Sequence, residues 1–388
     1  MKKIGILTYH RSINYGAFMQ AYSLSKNIKK RFPDVEVEII DYSSQLMENL
    51  YKPKISFNTL KNIKGYLLKK KQYTYFKDAL DRLPLSRKNM CSDGNTDEVL
   101  RFFQNDYDIF VVGSDAVWNW CRRGFPNPYL MNFEKPVKKM SYAASAYGMD
   151  SSHIGKEEAE YFKSSLEKFS FIGTRDSYTS EMVKNVCSSA EPVFTCDPTV
   201  ILDIGDVYAE MGMTKEEYKT YIFKKLKIDE NKKLIGIMGA PKEIVCKLKE
   251  KAGDEYVLVN LYKYVRFADK QLIDLTPFEW AAVFGLFEVT VTSYFHGTLL
   301  SLRNYTPVVN YDFNKFSQNN EGKICDVMRK MELSECHFKE RKDYDDIVDR
   351  VFNVIEDRES YVLKIKKNVE KLSESSEAFF DKVGELLK

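Results

Sequence analysis

The sequence of 388 residues lacks any long apolar run. Its uncharged stretches at residues 12–25 and 289–302 fall short of the roughly 20 residues that a membrane-spanning helix needs. The basic start, Met1-Lys2-Lys3, is followed by an apolar run that is far too short for a signal peptide. We therefore expect a protein that is neither exported nor transmembrane.

The sequence also lacks paired cysteines and a strong net charge. Its seven cysteines are scattered and include no Cys-x-x-Cys, which favours reduced thiols in a cytoplasm over a disulfide framework or a zinc site. A formal net charge of +3 is too small to indicate a nucleic acid partner. With 44% hydrophobic and 30% charged residues the chain is globular, and its length favours two domains over one core.

Short apolar runs alternate with helical patterns along most of the chain, which predicts parallel, doubly wound sheets. The runs that predict strands are residues 3–8, 35–41, 108–113, 139–143, 171–173 and 192–195, and then 233–238, 256–260, 289–292 and 307–310. We predict an α/β protein with two Rossmann-like domains, at residues 1–203 and 204–345. A helical segment at residues 346–388 is long enough to cross back to the first domain.

The most informative segment runs from Thr292 to Leu302. It joins a β-branched run to an apolar helical pattern, predicted to begin at Gly297, through a tight turn. In open α/β sheets ligands bind at such a corner, and the N–H groups of a helix start favour an anion. His296 lies in this corner and can exchange protons near neutral pH, so we predict that it is catalytic. A histidine that only caps or packs the turn is the alternative.

Three other predicted strand ends carry polar side chains. Arg11 and Asn14 follow the first strand, where Arg11 could meet an anion, although the turn could equally be an ordinary loop with a helix cap. Asp115 could hold a sugar hydroxyl and Trp118 could pack against a sugar ring, whereas Asp115 as a helix cap is equally plausible. Arg175 suits a small anion, or else an ion pair with a neighbouring carboxylate.

Residues 50–80 are basic and aromatic. The stretch contains Lys52, Lys54, Lys61, Lys64, Lys69, Lys70, Lys71 and Lys77, interleaved with Tyr51, Phe57, Tyr66, Tyr73, Tyr75 and Phe76. Such a stretch can lie on an anionic membrane surface, although a solvated helix face is the commoner outcome.

Taken in order, these segments resemble the polysaccharide pyruvyl transferase family. The resemblance covers roughly residues 1–312 and is carried by residues 14–21, Val112-Gly113-Ser114-Asp115 with Trp118, Ser141-Tyr142-Ala143-Ala144-Ser145, Arg175-Asp176, Asp197-Pro198-Thr199, and residues 292–302 with Thr306-Pro307. It implies a two-domain fold similar to GT-B glycosyltransferases. It also implies phosphoenolpyruvate as donor, a sugar acceptor, often on a polyprenyl diphosphate, and a cyclic pyruvate ketal as product, in surface or capsular polysaccharide synthesis.

The resemblance also implies roles for single residues. Phosphate release and ketal formation need an acid/base, His296, and no metal or redox cofactor. The donor-binding candidates are Arg175, Ser293, Gly297, Thr298 and Arg11, and the acceptor-binding candidates are Asn14, Asp115 and Trp118. In one departure, Tyr294 stands where many members of the family carry an arginine that is expected to help bind the donor.

Two other functions fit the same residues. A glycosyltransferase that uses a nucleotide sugar would share the fold. A catalytically inactive glycan-binding protein is the second alternative, motivated by Tyr294. For the enzyme we expect a cytoplasmic location with peripheral contact at the inner face of the membrane, because the implied acceptor is attached to a lipid.

Overall fold

A computed structural model describes residues 1–45, 48–49, 52, 63–93, 96–134, 137–150, 154–313, 322–340 and 343–388. They form two compact units. Unit 1 comprises Met1–Lys52, Leu80–Leu202 and Ser373–Lys388, and unit 2 comprises Pro53–Ala79 and Asp203–Leu372. The C-terminal helical segment is thus divided at residue 372, and its last part belongs to unit 1.

The strands of the described residues lie in two parallel sheets. The strands are β1 Lys3–Leu7, β2 Glu36–Ser43, β3 Leu85–Cys91, β4 Ile109–Val112, β5 Lys138–Ala144, β6 Phe169–Thr174, β7 Val193–Phe194, β8 Lys233–Met238, β9 Tyr256–Asn260, β10 Lys270–Gln271, β11 Val289–Thr292, β12 Val308–Tyr311 and β13 His337–Phe338. The described α-helices are α1 Tyr15–Arg31, α2 Ile63–Ala79, α3 Thr96–Phe103, α4 Trp120–Arg123, α5 Lys156–Leu166, α6 Ser177–Val186, α7 Ile204–Met211, α8 Lys215–Leu226, α9 Lys242–Ala252, α10 Pro277–Val283, α11 Phe295–Arg303, α12 Lys323–Lys330, α13 Tyr344–Glu356, α14 Arg358–Ser373 and α15 Glu377–Leu387.

The sheet of unit 1 has the order β3-β2-β1-β4-β5-β6-β7. Strand β4 is buried at every position, as expected for a parallel strand covered on both faces. The chain order reverses between β1 and β4, where Leu7 is in register with Val112. Their carboxyl ends therefore form the topological switch point at which open α/β sheets bind ligands.

The end of the chain completes the core of unit 1. Phe379 of α15 is fully buried, and its ring centroid lies 4.8 Å from that of Tyr142 in β5. The backbone N–H of Cys196 donates to the Ser375 hydroxyl at 3.0 Å. Residues 373–388 thus cover one face of the sheet that the first 202 residues build.

The sheet of unit 2 has the order β10-β9-β8-β11-β12-β13. Its switch point lies between β8 and β11, with Met238 in register with Thr292. Gly236 in β8 packs against the ring of Phe287, and a Cβ atom there would lie 2.6 Å from the ring, so a side chain would force the two apart. The predicted fold of two doubly wound α/β units is confirmed.

The start of helix α11 and the strand β3 are two of the differences from the sequence prediction. Helix α11 begins at Phe295 rather than at Gly297, so His296 lies in the first helical turn and not in the loop before it. Strand β3 was not predicted, because its sequence Leu-Ser-Arg-Lys-Asn-Met-Cys is polar. As an edge strand it exposes much of its length, so it needs no alternating apolar pattern.

Candidate active site

In unit 1, the turns after β1 and β4 are joined to each other. The Thr8 hydroxyl donates to the Ser114 carbonyl at 3.4 Å, and the Tyr9 hydroxyl donates to the Ala116 carbonyl at 3.2 Å. Gly113 has a φ of +116°, and a Cβ there would collide with the Tyr142 carbonyl oxygen, so the turn requires glycine. These contacts hold Asp115 at the switch point.

The turn after β1 carries an ionic cluster that sequence reasoning missed. Arg11 forms a fork with Asp41 at the end of β2, with N–O distances of 2.5 and 2.7 Å. His10 is fully buried, with its Nε2 atom 3.1 Å from the same carboxylate. Burial alone would raise the pKa of Asp41, but the hydrogen bonds from Arg11 and His10 hold it well below its usual value. The charge of Arg11, predicted to bind the donor, is therefore compensated within unit 1.

Arg175 is also held between carboxylates. It is only 4% exposed, its Nη1 lies 3.0 Å from Asp197 Oδ2, and its Nη2 lies 3.7 Å from Asp115 Oδ1. Burial alone would lower the pKa of the guanidinium, but these carboxylates, led by Asp197, keep it above its usual value. Of the two alternatives from the sequence, the geometry shows the ion pair, and the partners are Asp197 and Asp115.

The three residues predicted to bind the acceptor differ in their exposure and in their contacts. Asn14 is exposed and caps α1, with its Oδ1 accepting from the Gly16 N–H at 3.0 Å. Asp115 is partly exposed and has a φ of 79°. Trp118 is fully buried in the core of unit 1, and the Phe162 ring lies 5.3 Å away, edge to face. The prediction that Trp118 stacks on a sugar is therefore wrong, because core side chains enclose its ring.

In unit 2, the turn after β11 brings Ser293 and His296 to the switch point. The N–H of Ser293 donates to the Met238 carbonyl at 3.4 Å, which ties the end of β11 to the end of β8. Both side chains are half-buried. His296 is the second residue of α11, and the N–H groups of a first helical turn have no acceptor within the helix. A titratable side chain and a helix start thus occupy one corner.

The two other donor candidates in this segment are structural. Gly297 is buried, and a Cβ atom there would lie 2.9 Å from the Thr292 hydroxyl, so glycine lets α11 pack closely on β11. Thr298 is fully buried; its hydroxyl donates to the Tyr294 carbonyl and accepts from the Asn310 amide at 2.7 Å. Direct donor contacts by the side chain of Thr298 are therefore ruled out in this conformation.

Tyr294 occupies the N-cap position of α11 without a side-chain cap bond. Its ring lies over Gly239, which has a φ of +79° and whose Cβ would collide with it. The ring centroid lies 4.5 Å from that of Tyr262. Burial raises the pKa of Tyr294, with a further contribution from Tyr262, so the hydroxyl is neutral. Position 294 therefore brings no charge to this corner.

The described residues include neither a candidate metal site nor a candidate membrane-spanning helix. No group of three or more His, Cys, Asp and Glu side chains in the described ranges is arranged to hold a metal ion. None of the helices in the described part of the chain combines the length and the apolar character that crossing a membrane requires.

Comparison with solved structures shows the fold. The UDP-GlcNAc 2-epimerase of Neisseria meningitidis, bound to UDP-GlcNAc, matches 99% of this chain and 100% of its own, with a TM-score of 0.58 and 10% identity. The wall teichoic acid polymerase TagF matches 100% of this chain and 89% of its own, with a TM-score of 0.51 and 12% identity. At such identities the likeness establishes only the two-domain, Rossmann-like architecture of GT-B type.

Comparison by sequence shows the family. No curated protein matches the chain. The model of one family, described as polysaccharide pyruvyl transferase, matches residues 14–314 and so spans both units. That range includes the turn with Asn14, the Asp115 turn, Arg175 and the whole corner around His296. The chain therefore belongs to the polysaccharide pyruvyl transferase family.

Proposed function

We propose that the protein transfers pyruvate from phosphoenolpyruvate to two hydroxyls of one sugar, forming a cyclic ketal and releasing phosphate. The family match over residues 14–314 carries this proposal. The geometry of unit 2 supports it, because a half-buried histidine and a helix start lie together at a switch point. The acceptor is an oligosaccharide on a polyprenyl diphosphate, in surface or capsular polysaccharide synthesis.

His296 is the proton donor in this proposal. The imidazolium protonates the methylene carbon of phosphoenolpyruvate, which becomes the methyl group, while C2 becomes electrophilic. One sugar hydroxyl adds to C2 and loses its proton. The C2–O bond to phosphate then breaks, and the second hydroxyl adds to C2 and closes the ketal. One hydroxyl proton restores the imidazolium and the other leaves with phosphate, so the reaction requires no oxidant or reductant.

Unit 2 binds the donor. Phosphoenolpyruvate presents a carboxylate and a phosphate, and backbone N–H groups at the start of α11 suit either group. The Ser293 hydroxyl is placed at the same switch point and can donate a further hydrogen bond. Gly297 contributes through its backbone, since close packing on β11 requires the missing side chain.

Unit 1 binds the acceptor. Asp115 is the partly exposed carboxylate of its switch point, and carboxylate oxygens accept hydrogen bonds from sugar hydroxyls. Arg175 is a positioning residue, since its buried guanidinium links Asp115 to the turn at Asp197. The exposed amide of Asn14 is a second acceptor contact. Arg11 acts indirectly, because its ion pair with Asp41 of β2 holds the turn after β1 that also carries Asn14.

A nucleotide-sugar glycosyltransferase is the second candidate. The observation that favours it is the fold shared with an epimerase solved with UDP-GlcNAc. Tyr294 and Tyr262 could stack on a base, as aromatic rings do for many ligands. The family match favours the pyruvyl transferase instead.

The test uses purified protein, phosphoenolpyruvate and a panel of lipid-linked oligosaccharides. We expect phosphate release that depends on both substrates, and a product whose mass increase and acid lability match a pyruvate ketal. Phosphoenolpyruvate alone should raise the melting temperature, while nucleotide sugars should not. Sugar transfer from a nucleotide sugar would overturn the proposal in favour of the glycosyltransferase. A shift with neither donor class would favour the inactive glycan-binding relative.

A further inference from the structure

We propose that Tyr311 positions Ser293 in the donor site: the Tyr311 hydroxyl donates to the Ser293 hydroxyl, which in turn donates to phosphoenolpyruvate. The inference rests on the proposed function, because it adds a residue behind one of the proposed donor contacts. Both residues belong to unit 2 and to the described part of the chain.

The register of the sheet brings the two residues together. Thr292 is in register with Asn310, so Ser293 and Tyr311, which follow them, are neighbours at the ends of β11 and β12. The Asn310 amide donates to the Thr292 carbonyl at 3.1 Å and fixes the two strand ends against each other. The same amide donates to the Thr298 hydroxyl, so Asn310 points to the face of the sheet that α11 covers. Because side chains alternate along a strand, Tyr311 points to the opposite face.

Tyr311 carries a buried hydroxyl that lacks a well-formed hydrogen bond. The residue is only 2% exposed, and no atom within the described ranges is placed to bond its hydroxyl with acceptable geometry. Burial raises the pKa of Tyr311, and a hydrogen-bonding interaction with the Ser293 side chain opposes the rise. The two hydroxyls are therefore neighbours that stop short of full hydrogen-bond geometry. A buried hydroxyl in this state costs stability that a phenylalanine at the same position would not.

Binding of the donor at Ser293 would complete the missing bond. Ser293 is half-buried, so its side chain can reach a ligand, whereas the Tyr311 hydroxyl is enclosed. The raised pKa keeps Tyr311 protonated at pH 7, so its hydroxyl is able to donate. A serine hydroxyl accepts through its oxygen while it donates its own proton, so Ser293 serves Tyr311 and the donor together. Donation from Tyr311 polarises the Ser293 O–H and strengthens its bond to an anionic oxygen.

The experiment compares Tyr311→Phe, Ser293→Ala and the double variant with a matched control, Tyr218→Phe. Phenylalanine keeps the ring and removes only the hydroxyl. The control tyrosine is also buried in unit 2, but its hydroxyl donates to the Glu279 carbonyl at 2.6 Å. For each variant, phosphoenolpyruvate affinity is measured by calorimetry, together with kcat, both KM values and the melting temperature.

We expect Tyr311→Phe to weaken phosphoenolpyruvate binding about three- to tenfold, the range for one net hydrogen bond. The KM of phosphoenolpyruvate should rise with it, while kcat and the KM of the acceptor stay near wild type. Its melting temperature should not fall, because no well-formed bond is lost, whereas Tyr218→Phe should lower the melting temperature and leave the affinity unchanged. Added to Ser293→Ala, Tyr311→Phe should cause no further loss of affinity, because the two hydroxyls act as one unit.

An unchanged affinity in Tyr311→Phe, with or without a lower melting temperature, would overturn this inference and leave the proposed function standing. A full further loss on adding Tyr311→Phe to Ser293→Ala would also overturn it, because Tyr311 would then act independently of Ser293. Wild-type protein that binds no phosphoenolpyruvate would instead overturn the proposed function and this inference with it.

Discussion

At the scale of single residues, burial separates the histidines that the structure describes. His10 is fully buried against Asp41, and desolvation lowers the pKa of His337 to about 4, so His337 is neutral at pH 7. His296 alone of these three lies in the first turn of a helix at a switch point. A proton donor must both reach the substrate and carry a proton near neutral pH, and His296 has the better position for this.

We therefore predict that His296→Ala lowers kcat by roughly 10²- to 10⁴-fold, the range for losing a general acid. Its melting temperature should change little, because the side chain is half-buried at the start of a helix. The measurement is initial phosphate release at saturating donor, with His337→Gln as the control for loss of a histidine outside the corner. Near-normal turnover in His296→Ala would refute its role.

A separate prediction concerns the pH dependence of stability that arises from His337. Its folded-state pKa of about 4 lies below the value of 6.5 expected when unfolded, mainly because of desolvation. Between these two values the unfolded chain binds more protons than the folded chain. The stabilisation of the folded protein by neutral His337 is therefore present above pH 6.5 and is lost as pH falls toward 4. The free energy of unfolding falls by roughly 3 kcal/mol, because each unit of pKa difference corresponds to about 1.4 kcal/mol.

The measurement is urea unfolding of wild type and His337→Gln at pH 7.5 and pH 4.5. The carboxylates titrate in both proteins, so the difference between the two isolates the contribution of the His337 imidazole. We expect the wild type to lose more stability on acidification than the variant does. Parallel losses would contradict the depressed pKa.

At the scale of elements, α2 makes up most of the described part of the basic stretch; Tyr51, Lys54, Phe57 and Lys61 lie outside the described residues. Its inner side is anchored in unit 2 by the buried Phe76, and Lys71 pairs with Asp274 at 3.6 Å. Its outer side exposes Ile63 and Leu67, one turn apart, at 56% and 53%. Lys69 and Lys70 are exposed on the same helix. Exposed apolar side chains beside lysines suit an anionic membrane surface.

We predict that the double change Lys69→Gln and Lys70→Gln weakens binding to anionic liposomes. Each lysine near such a surface contributes about 1 kcal/mol, so the partition coefficient should fall roughly thirtyfold. Binding should also weaken with salt, because the attraction is Coulombic. Sedimentation with anionic and with neutral liposomes, at low and high salt, measures it.

The matched control changes Lys247 and Lys251 to Gln. These lysines are equally exposed on α9 but pair with Asp345 and Asp349, at 2.5 and 2.6 Å. The control should bind nearly as well as wild type, and a third variant with Ile63 and Leu67 changed to Ser should bind less well. Equal recovery with anionic and neutral liposomes, or an unchanged α2 variant, would mean that α2 is only a solvated face.

At the scale of the whole molecule, the last residues of the chain complete the unit that the first residues begin. Phe379→Ala should destabilise unit 1 by about 3–5 kcal/mol, because a fully buried aromatic ring is removed from its contact with Tyr142. Urea unfolding followed by tryptophan fluorescence is suitable, since Trp118 and Trp120 lie in unit 1. Leu363→Ala, at a residue that is 67% exposed, is the control and should change stability by less than about 0.5 kcal/mol. A similar small effect for Phe379→Ala would show that α15 is dispensable.

The sequence by itself determined the alternation of strands and helices, the two α/β units and the corner around His296. These follow from local patterns: β-branched runs such as residues 289–292 form buried strands, and a short polar turn before an apolar helix places its residues at a strand end. The order of motifs also indicated the family, since motif order does not depend on three-dimensional contacts.

Only the tertiary structure decided which of the candidate side chains are accessible. Trp118 and Thr298 follow strands just as Asp115 and Ser293 do. In the folded protein, however, the ring of Trp118 packs against Phe162, and the hydroxyl of Thr298 accepts a hydrogen bond from Asn310. Arg175 is paired by Asp197, twenty-two residues later, and His10 lies against Asp41, thirty-one residues later. Burial and charge compensation depend on contacts between residues that are distant in sequence, and no local pattern records those contacts.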